Sequence, residues 1–209
     1  MKAFVTLLIL FGAILGHAQS KPELGFNVQL GNNLTWWRYN RGVGLGWDRT
    51  DNIRVPIVAA GAYLETEKWR IYAGLSREWW SEERLELFED NTRRQRRLTI
   101  SDRSFPITDI EIKVAHYLVS NDKYKFGLGM GVGTFFLDTE LELQDNFGSQ
   151  WMWSADVINQ FRFKKRWAWL LGINYEKKII LPDIEQAPNE RHELFSYGLW
   201  LGLNYRLTP

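Results

Sequence analysis

The architecture is clearest in the segment Tyr124-Lys125-Phe126-Gly127-Leu128-Gly129-Met130-Gly131-Val132-Gly133-Thr134-Phe135-Phe136. Large side chains occupy every second position, and glycines fill most of the positions between them. A period of two is typical of a β-strand, because successive side chains point to opposite faces of a sheet. Glycines weaken an isolated strand, so this glycine row indicates a face where large neighbouring side chains need the space.

The same alternation recurs along the chain on both sides of this segment. The further apolar-rich segments cover about residues 24–36, 53–65, 69–80, 109–118, 151–163, 167–176 and 195–207. Together with 124–136 they predict eight strands of roughly 10–16 residues, which is long beside the usual length of about 5–6. Tilted strands of about 9–11 residues or more are long enough to cross a lipid bilayer.

The connections between these strands alternate in length. Short turns fall at 65–68, 120–123 and 163–166, and long loops at about 38–52, 81–106, 138–150 and 181–193. Short turns on one side and long loops on the other are typical of transmembrane barrels. The predicted fold is therefore an all-β, eight-stranded antiparallel up-and-down transmembrane β-barrel, with its short turns on the side of both termini.

The two faces of the strands distinguish a membrane barrel from a soluble secreted barrel of the lipocalin type, which would point its apolar face inward. The bulky faces carry more volume than a small lumen can hold, and their aromatic residues gather at the strand ends. We predict a membrane-interface ring beside the long loops from Trp36, Trp37, Trp79, Trp80, Phe135, Phe136, Trp151 and Trp153. A second ring is predicted beside the short turns from Trp69, Tyr117, Tyr124, Trp167, Trp169 and Tyr205.

The opposite faces are polar and predict a charged lumen. Its expected members are Arg54, Arg70, Glu78, Asp109, Glu111, Lys113, Lys125, Asp156, Arg162, Glu176 and Arg206. Buried charges are costly unless they pair, so this near-balanced set favours a closed network of salt bridges that plugs the barrel. Pro56 conflicts with a closed sheet, and we expect it at the loop end of its strand or at a bulge.

Residues 1–18 have the pattern of a cleavable export signal. Lys2 gives a positive start, the run from Ala3 to Leu15 is apolar, and Gly16 and Ala18 supply small residues before the expected cleavage. The predicted domains are this signal (1–18) and the barrel (19–209). The mature chain would then hold 25 basic and 25 acidic residues, since the whole has 26 and 25. Such balance argues against nucleic-acid binding.

Little in the sequence points to catalysis, a metal or a cofactor, and we expect none of the three. Cysteine is absent, and the three histidines include His17 of the signal, His116 near a short turn and His192 in a long loop. The second long loop follows an acidic run with Arg93, Arg94, Arg96 and Arg97. These arginines are candidates for gripping phosphate groups or docking a partner.

In all these respects the chain resembles the small eight-stranded outer-membrane barrels of diderm bacteria, of the OmpA-barrel and OmpX type, over about residues 24–207. The last strand, Gly202-Leu203-Asn204-Tyr205-Arg206-Leu207, is similar to the signal read by the barrel-assembly machinery, although the chain ends in Leu207-Thr208-Pro209 and not in Phe. The resemblance implies a bacterial outer-membrane location, contact with membrane lipid and lipopolysaccharide, and assembly by that machinery.

Three functions stay open at this point. The resemblance favours a structural or interaction protein of the envelope, including a subunit of a larger outer-membrane complex. The alternatives are a narrow pore or a lipid A-modifying barrel enzyme, and a soluble lipocalin-like binder. A lipid A deacylase needs a serine and a histidine near the outer leaflet, whereas His116 and Ser120 fall at the opposite, short-turn end.

Overall fold

The structure is a computed structural model, and it describes residues 22–40, 48–49, 53–80, 86–89, 96–99, 105–137, 147–182 and 191–207 of the 209-residue chain. Side chains are described for residues 22–36, 54–79, 106–136, 150–179 and 193–207. No helix in these ranges is long and apolar enough to span a membrane. The predicted export signal lies outside the described residues.

Eight long strands form one closed antiparallel barrel. In chain order they are β1 (Glu23–Asn40), β2 (Ile53–Glu65), β3 (Trp69–Trp80), β4 (Phe105–Ser120), β5 (Tyr124–Leu137), β6 (Phe147–Lys164), β7 (Trp167–Pro182) and β8 (Arg191–Arg206). Each strand pairs with the next along the chain, and β8 pairs with β1 to close the ring. The predicted fold is confirmed.

The connections follow the predicted alternation. The short ones comprise residues 66–68, 121–123 and 165–166. In the second of these, the Asn121 carboxamide oxygen accepts hydrogen bonds from the backbone N–H groups of Lys123 and Tyr124 at 3.0 and 2.8 Å. Asparagine favours tight turns because its side chain can replace a backbone partner in this way.

Short strand pairs also occur within the long loops. Asp48–Arg49 pair with the end of β1, and Glu86–Glu89 pair with Arg96–Thr99 as a separate two-stranded hairpin. The period-two pattern predicted no strand in either segment. Four residues on each side are too few for a clear alternation to stand out from a charged loop.

The outward face of the barrel is apolar and exposed. Met130 and Leu199 leave 69% and 63% of their surface uncovered, and the alternate residues on the same strands are buried. This arrangement inverts a soluble barrel, in which the largest apolar side chains would be enclosed. The prediction that the bulky faces point away from the lumen is confirmed for the described strands.

Strand β2 corrects one predicted lumen residue. Arg54 lies opposite Leu34 of β1, and directly opposed residues on neighbouring strands share a face. Leu34 points outward, so Arg54 is also outward and exposed. Its inward assignment was wrong because both faces of β2 are apolar over most of their length, which leaves no contrast from which to read the side.

Pro56 fits the barrel because β2 has no partner on one side at this position. It lies opposite Asn32 of β1, but pairing of β2 with β3 begins only at Ile57, opposite Glu78. A proline lacks a backbone N–H and breaks a continuous hydrogen-bond ladder. Its place near the loop end, next to the point where pairing with β3 stops, therefore removes the conflict seen in the sequence.

Glycines on the inward face make room for large lumen side chains. Gly172 of β7 lies opposite Trp200 of β8, and a methyl group on Gly172 would overlap the indole ring. In β5, a methyl group on Gly131 would meet Glu111 and Ser154. The glycine row of β5 thus faces a crowded interior, as predicted.

The outward face makes a direct prediction for spin labels at Leu128, Met130, Leu199 and Leu201 of the barrel folded in lipid vesicles. A lipid-soluble relaxation agent should accelerate the relaxation of each spin label, and a water-soluble agent should have little effect. The reason is that all four side chains project away from the lumen. A label at Asp122 in the exposed turn is the control and should show the reverse. Water accessibility at all four sites would contradict the membrane barrel.

Candidate functional site: the charged lumen

The half of the lumen beside the short turns is organised around the Glu65 carboxylate. Lys125 Nζ lies 2.7 Å from Glu65 Oε1, and Arg70 Nη1 lies 3.3 Å from Oε2. The Tyr117 hydroxyl and the Gln160 amide also donate to this carboxylate, at 2.8 and 3.2 Å. Glu65 is 1% exposed, so four donors replace the water that a buried carboxylate loses.

Arg70 extends this group of contacts across the barrel. Its guanidinium donates to the side-chain oxygens of Gln160 and Asn204, both at 3.1 Å, and stacks on the Tyr63 ring at 4.2 Å. Gln160 and Asn204 are themselves linked by a 3.0 Å hydrogen bond. We call Glu65, Arg70, Tyr117, Lys125, Gln160 and Asn204 the basic network.

A smaller pair of contacts lies at the rim beside the short turns. Glu23 reaches Arg206 at 2.6 Å and Arg162 at 3.4 Å. Its side chain keeps 28% of its surface exposed, in contrast to the enclosed Glu65. Two arginines on one carboxylate leave this end of the lumen with surplus positive charge.

The middle of the lumen holds Lys113 between two carboxylates. Lys113 Nζ lies 3.0 Å from Glu111 and 3.1 Å from Asp156. Ser154 hydrogen-bonds the other oxygen of Glu111. These residues come from β4 and β6, which lie on either side of the glycine row in β5, so small residues on β5 let the charged groups meet.

The half of the lumen beside the long loops is organised around Lys178. Its ammonium lies 2.7 Å from Glu78, 3.2 Å from Asp109 and 3.4 Å from Glu176. The side chains of Lys178 and Glu78 are fully enclosed. Asn33, Asn174 and Ser76 donate to the same carboxylates at 3.1, 2.7 and 2.8 Å.

Charge is segregated along the barrel axis. The half beside the short turns carries Arg70, Lys125, Arg162 and Arg206 against Glu23 and Glu65, whereas the middle and loop-side parts carry Glu78, Asp109, Glu111, Asp156 and Glu176 against Lys113 and Lys178. Apart from Arg54, every predicted lumen charge faces inward. The expected near-balance of positive and negative charge holds for the described lumen as a whole but not for either half.

Three lumen charges were missed in the sequence analysis. Lys178 lies two positions beyond Glu176 in the same alternation, and extending the period of β7 would have placed it inward. Glu23 likewise precedes the predicted start of β1 in the correct phase. Glu65 lies on the opposite face of β2 from Arg54. Because the face with Arg54 was assigned to the lumen, Glu65 was left out of the predicted lumen residues.

Two small cavities separate the networks. Their volumes are about 30 and about 20 Å³, and both are bordered by Tyr72, Lys113 and Trp200. Each has room for about one or two water molecules. Asn27 borders the smaller cavity, and neither polar atom of its buried carboxamide has a hydrogen-bond partner.

Aromatic residues form rows on the outward face at both ends of the barrel. Beside the long loops, Trp153, Tyr175, Tyr197 and Trp36 follow one another across four strands with ring centroids 4.9–5.2 Å apart. Trp79, Phe136 and Trp151 are also exposed there, and the side chains of Trp37 and Trp80 lie outside the described residues. The placement of Phe135 in this ring was wrong: it precedes the outward Phe136 in the alternation and is fully buried on the lumen side.

A second set of aromatic pairs lies beside the short turns. The ring centroids of Trp167 and Tyr205 are 4.7 Å apart, those of Phe163 and Trp169 are 5.6 Å apart, and those of Tyr124 and Phe161 are 5.0 Å apart. Trp69 contacts the His116 ring edge-on at 4.5 Å. The placement of Tyr117 in this ring was wrong, because it follows the outward His116 in the alternation and donates to Glu65 inside the lumen. Rings with an apolar body and a polar tip suit the boundary between lipid and water.

The remaining candidate residues lie in the loops. Arg96 and Arg97 belong to the loop hairpin, but their side chains lie outside the described residues, as do Arg93 and Arg94 altogether. A role for these four arginines in binding phosphate or a partner stays a prediction. The described histidine side chain, His116, faces outward against Trp69 and does not join the lumen networks.

Comparison with known proteins supports the fold. No family model and no curated protein matches the chain. The outer membrane protein AlkL, solved by solid-state NMR in DMPC bilayers, aligns with a TM-score of 0.52 and 12% identity over 90% of this chain and 91% of AlkL. At this identity the likeness shows the fold alone: the chain has the fold of a small outer-membrane β-barrel.

Two further solved structures align less closely. Neisserial surface protein A (NspA) has a TM-score of 0.43 and 13% identity over 84% of this chain and 95% of NspA. The outer membrane protease OmpT from Escherichia coli has a TM-score of 0.44 and 8% identity over 88% of this chain and 97% of OmpT. Neither likeness carries an activity over to this chain.

Replacing Glu65 with glutamine should destabilise the folded barrel by about 3–5 kcal/mol, because Arg70 and Lys125 would remain enclosed without their counter-charge. The measurement is the urea midpoint of the lipid-folded barrel, followed by tryptophan fluorescence. Glu23→Gln is the matched control: it makes the same change at the more exposed rim and should cost about 1 kcal/mol or less. Equal losses in the two variants would contradict the central role of Glu65.

Proposed function

We propose that this protein is an integral outer-membrane β-barrel with a closed lumen, which serves the cell envelope as a structural or interaction protein and not as an enzyme. Its long loops would lie outside the cell and its short turns in the periplasm. The surfaces available to partners are then the loops, the aromatic rows and the lipid-facing wall.

Membrane residence is supported by the outward face and by the aromatic rows at its two edges. A soluble protein seldom exposes so continuous an apolar surface. In a bilayer the same apolar surface contacts lipid chains and is not exposed to water. The closed ladder of strand pairs provides hydrogen-bond partners for the backbone N–H and C=O groups, which lipid cannot do. The fold shared with AlkL, a protein studied in lipid bilayers, is consistent with this location.

The main support for a closed lumen is that hydrogen bonds and ion pairs join opposite walls of the barrel. In a ring of eight strands, β3 and β7 are diametrically opposed, and Lys178 of β7 contacts Glu78 of β3. Strands β2 and β6 are also opposed, and Gln160 of β6 donates to Glu65 of β2. Two networks therefore cross the full width of the barrel at two depths.

A non-enzymatic role is supported by the position of the described groups that could act as nucleophile or base. His116 is on the outer wall beside a short turn, and its ring packs against Trp69. The lumen groups are committed to one another, and the cavities between them are smaller than a lipid headgroup or a sugar. The proposed work of the chain is thus binding through its outer surfaces, including docking within a larger membrane complex.

The closed lumen is tested by single-channel recording in planar bilayers. The mature chain, whose folding is first verified by heat-modifiable gel mobility, should give no reproducible conductance steps, because the two networks block the ion path. A known pore-forming barrel in the same bilayers is the positive control. Stable steps from the folded chain would replace this proposal with the narrow-pore alternative.

The orientation is tested by inserting an epitope between residues 144 and 145 or at residue 122 in cells of a diderm host. Antibody should label intact cells that carry the tag in the long loop, whereas the tag in the short turn should need permeabilised cells. Both chains must reach the membrane fraction in equal amounts. Labelling of the short-turn tag on intact cells would reverse the proposed orientation.

A further inference from the structure

Two arginines share one carboxylate at the rim beside the short turns. Glu23 lies 2.6 Å from Arg206 Nη1 and 3.4 Å from Arg162 Nη2, and among the described residues it is the carboxylate that these two guanidinium groups contact. The side chains of Arg206 and Arg162 are only 12% and 23% exposed. One negative charge thus compensates two largely enclosed positive charges, which leaves the rim short of negative charge.

A second observation is that Arg206 has a donor group without an acceptor. Its Nη2 atom is buried and has no hydrogen-bond partner, whereas Nη1 of the same guanidinium contacts Glu23. A guanidinium keeps its charge in proteins and offers only donors, and a buried donor without an acceptor costs free energy. An oxygen atom supplied by a ligand would complete the hydrogen bonding of this group.

The same guanidinium borders a small cavity that opens at the rim. The cavity has a volume of about 10 Å³, and Arg162, Arg166 and Arg206 all line it. Gln160 and Asn204 line it as well, and each lies one alternation step deeper on the strand that carries Arg162 or Arg206. This volume holds about one water-sized group. A single ligand oxygen can therefore enter between the arginines while the rest of the ligand stays in the open mouth of the barrel.

Basic residues outside the cavity extend the positive surface toward the outer wall. Lys164, Lys165 and Arg166 are consecutive and exposed where β6 turns into β7. Arg166 donates a 3.3 Å hydrogen bond to the hydroxyl of Tyr205, whose ring packs against Trp167 in the outward aromatic set. Such rings mark the boundary between lipid and water, where lipid headgroups lie. We call Glu23, Arg162, Arg166 and Arg206 the rim site.

We propose that the rim site binds a phosphate group, carried by a lipid headgroup or by a soluble phosphate. The N–H donors of a guanidinium form a planar fork that matches two phosphate oxygens. A phosphate would supply the acceptor that Arg206 Nη2 lacks and the negative charge that the rim lacks. Glu23 competes with the phosphate for the same two arginines, so binding should displace its partly exposed carboxylate.

The site is tested by an NMR titration of sodium phosphate into the ¹⁵N-labelled mature chain, folded in a detergent without phosphate groups and kept at constant ionic strength. The Nε–H signals of Arg162 and Arg206 should shift along one saturable curve, with one phosphate bound per chain. Arg162→Gln should weaken binding about tenfold, because a charged hydrogen-bond donor is lost. Glu23→Gln should tighten it several-fold, because the competing carboxylate is removed.

Two further variants keep this test decisive. Arg206→Gln should also weaken binding and replaces Arg162→Gln if that variant fails to fold, as judged by heat-modifiable gel mobility. Lys123→Gln removes a positive charge from an exposed turn outside the rim site and should leave binding unchanged. The proposal is overturned if no saturable binding occurs at millimolar phosphate, or if the two arginine variants bind phosphate as well as the unchanged chain does.

The source of the phosphate is identified with a matched pair of ligands. Glycerophosphoglycerol is the headgroup of phosphatidylglycerol without its acyl chains, and a short-chain phosphatidylglycerol adds chains that can contact Trp167 and Tyr205. Binding of the lipid that is tighter by a factor of about ten or more assigns the site to a lipid headgroup, and equal binding assigns it to a soluble phosphate. Loss of the difference in Arg162→Gln separates binding at the site from uptake into the micelle. Because the titration needs no membrane potential or protein partner, its outcome is independent of the proposed envelope role.

Discussion

The pairing of β1 with β8 is the contact on which the rest of the molecule depends. It turns a row of eight strands into a ring without a free edge, so every strand of the wall has a neighbour on both sides. In lipid an unpaired backbone group has no water to bond with, and a closed ladder is the way a β-sheet satisfies it. The apolar outer face becomes tolerable only after this closure.

Closure also determines the environment of the side chains that point into the lumen. Eight strands enclose a space that side chains nearly fill, so charged residues pointing inward lose much of their water. They must bond to each other, and the distances across such a narrow ring are short enough for lysine and arginine to reach the far wall. Lys178 and Arg70 do so at two depths and so connect strands on opposite sides of the barrel. Glycines opposite the largest side chains supply the space that these contacts need.

Strand period predicted most of the fold, whereas the lumen contacts needed the three-dimensional register. The alternation in β5 and the contrast between short and long connections were enough to predict eight strands, their direction and their outward faces. The alternation failed at β2, because apolar residues occupy both of its faces. Arg54 was therefore assigned to the wrong face, and Glu65 was left out of the predicted lumen. The convergence of Glu78, Asp109 and Glu176 could not be predicted either, because it depends on how far neighbouring strands are shifted against each other and not on any spacing along the chain.

The separation of acidic and basic groups in the described lumen gives the lumen an electric dipole along the barrel axis. Negative charge is concentrated toward the loop mouth and positive charge toward the short turns, with little water between them to screen the field. A voltage along the barrel axis would act on these lumen charges, so the lumen contributes an energy difference between the two directions of insertion. The ion pairs that join the walls of the lumen thus also give the lumen an electrical polarity.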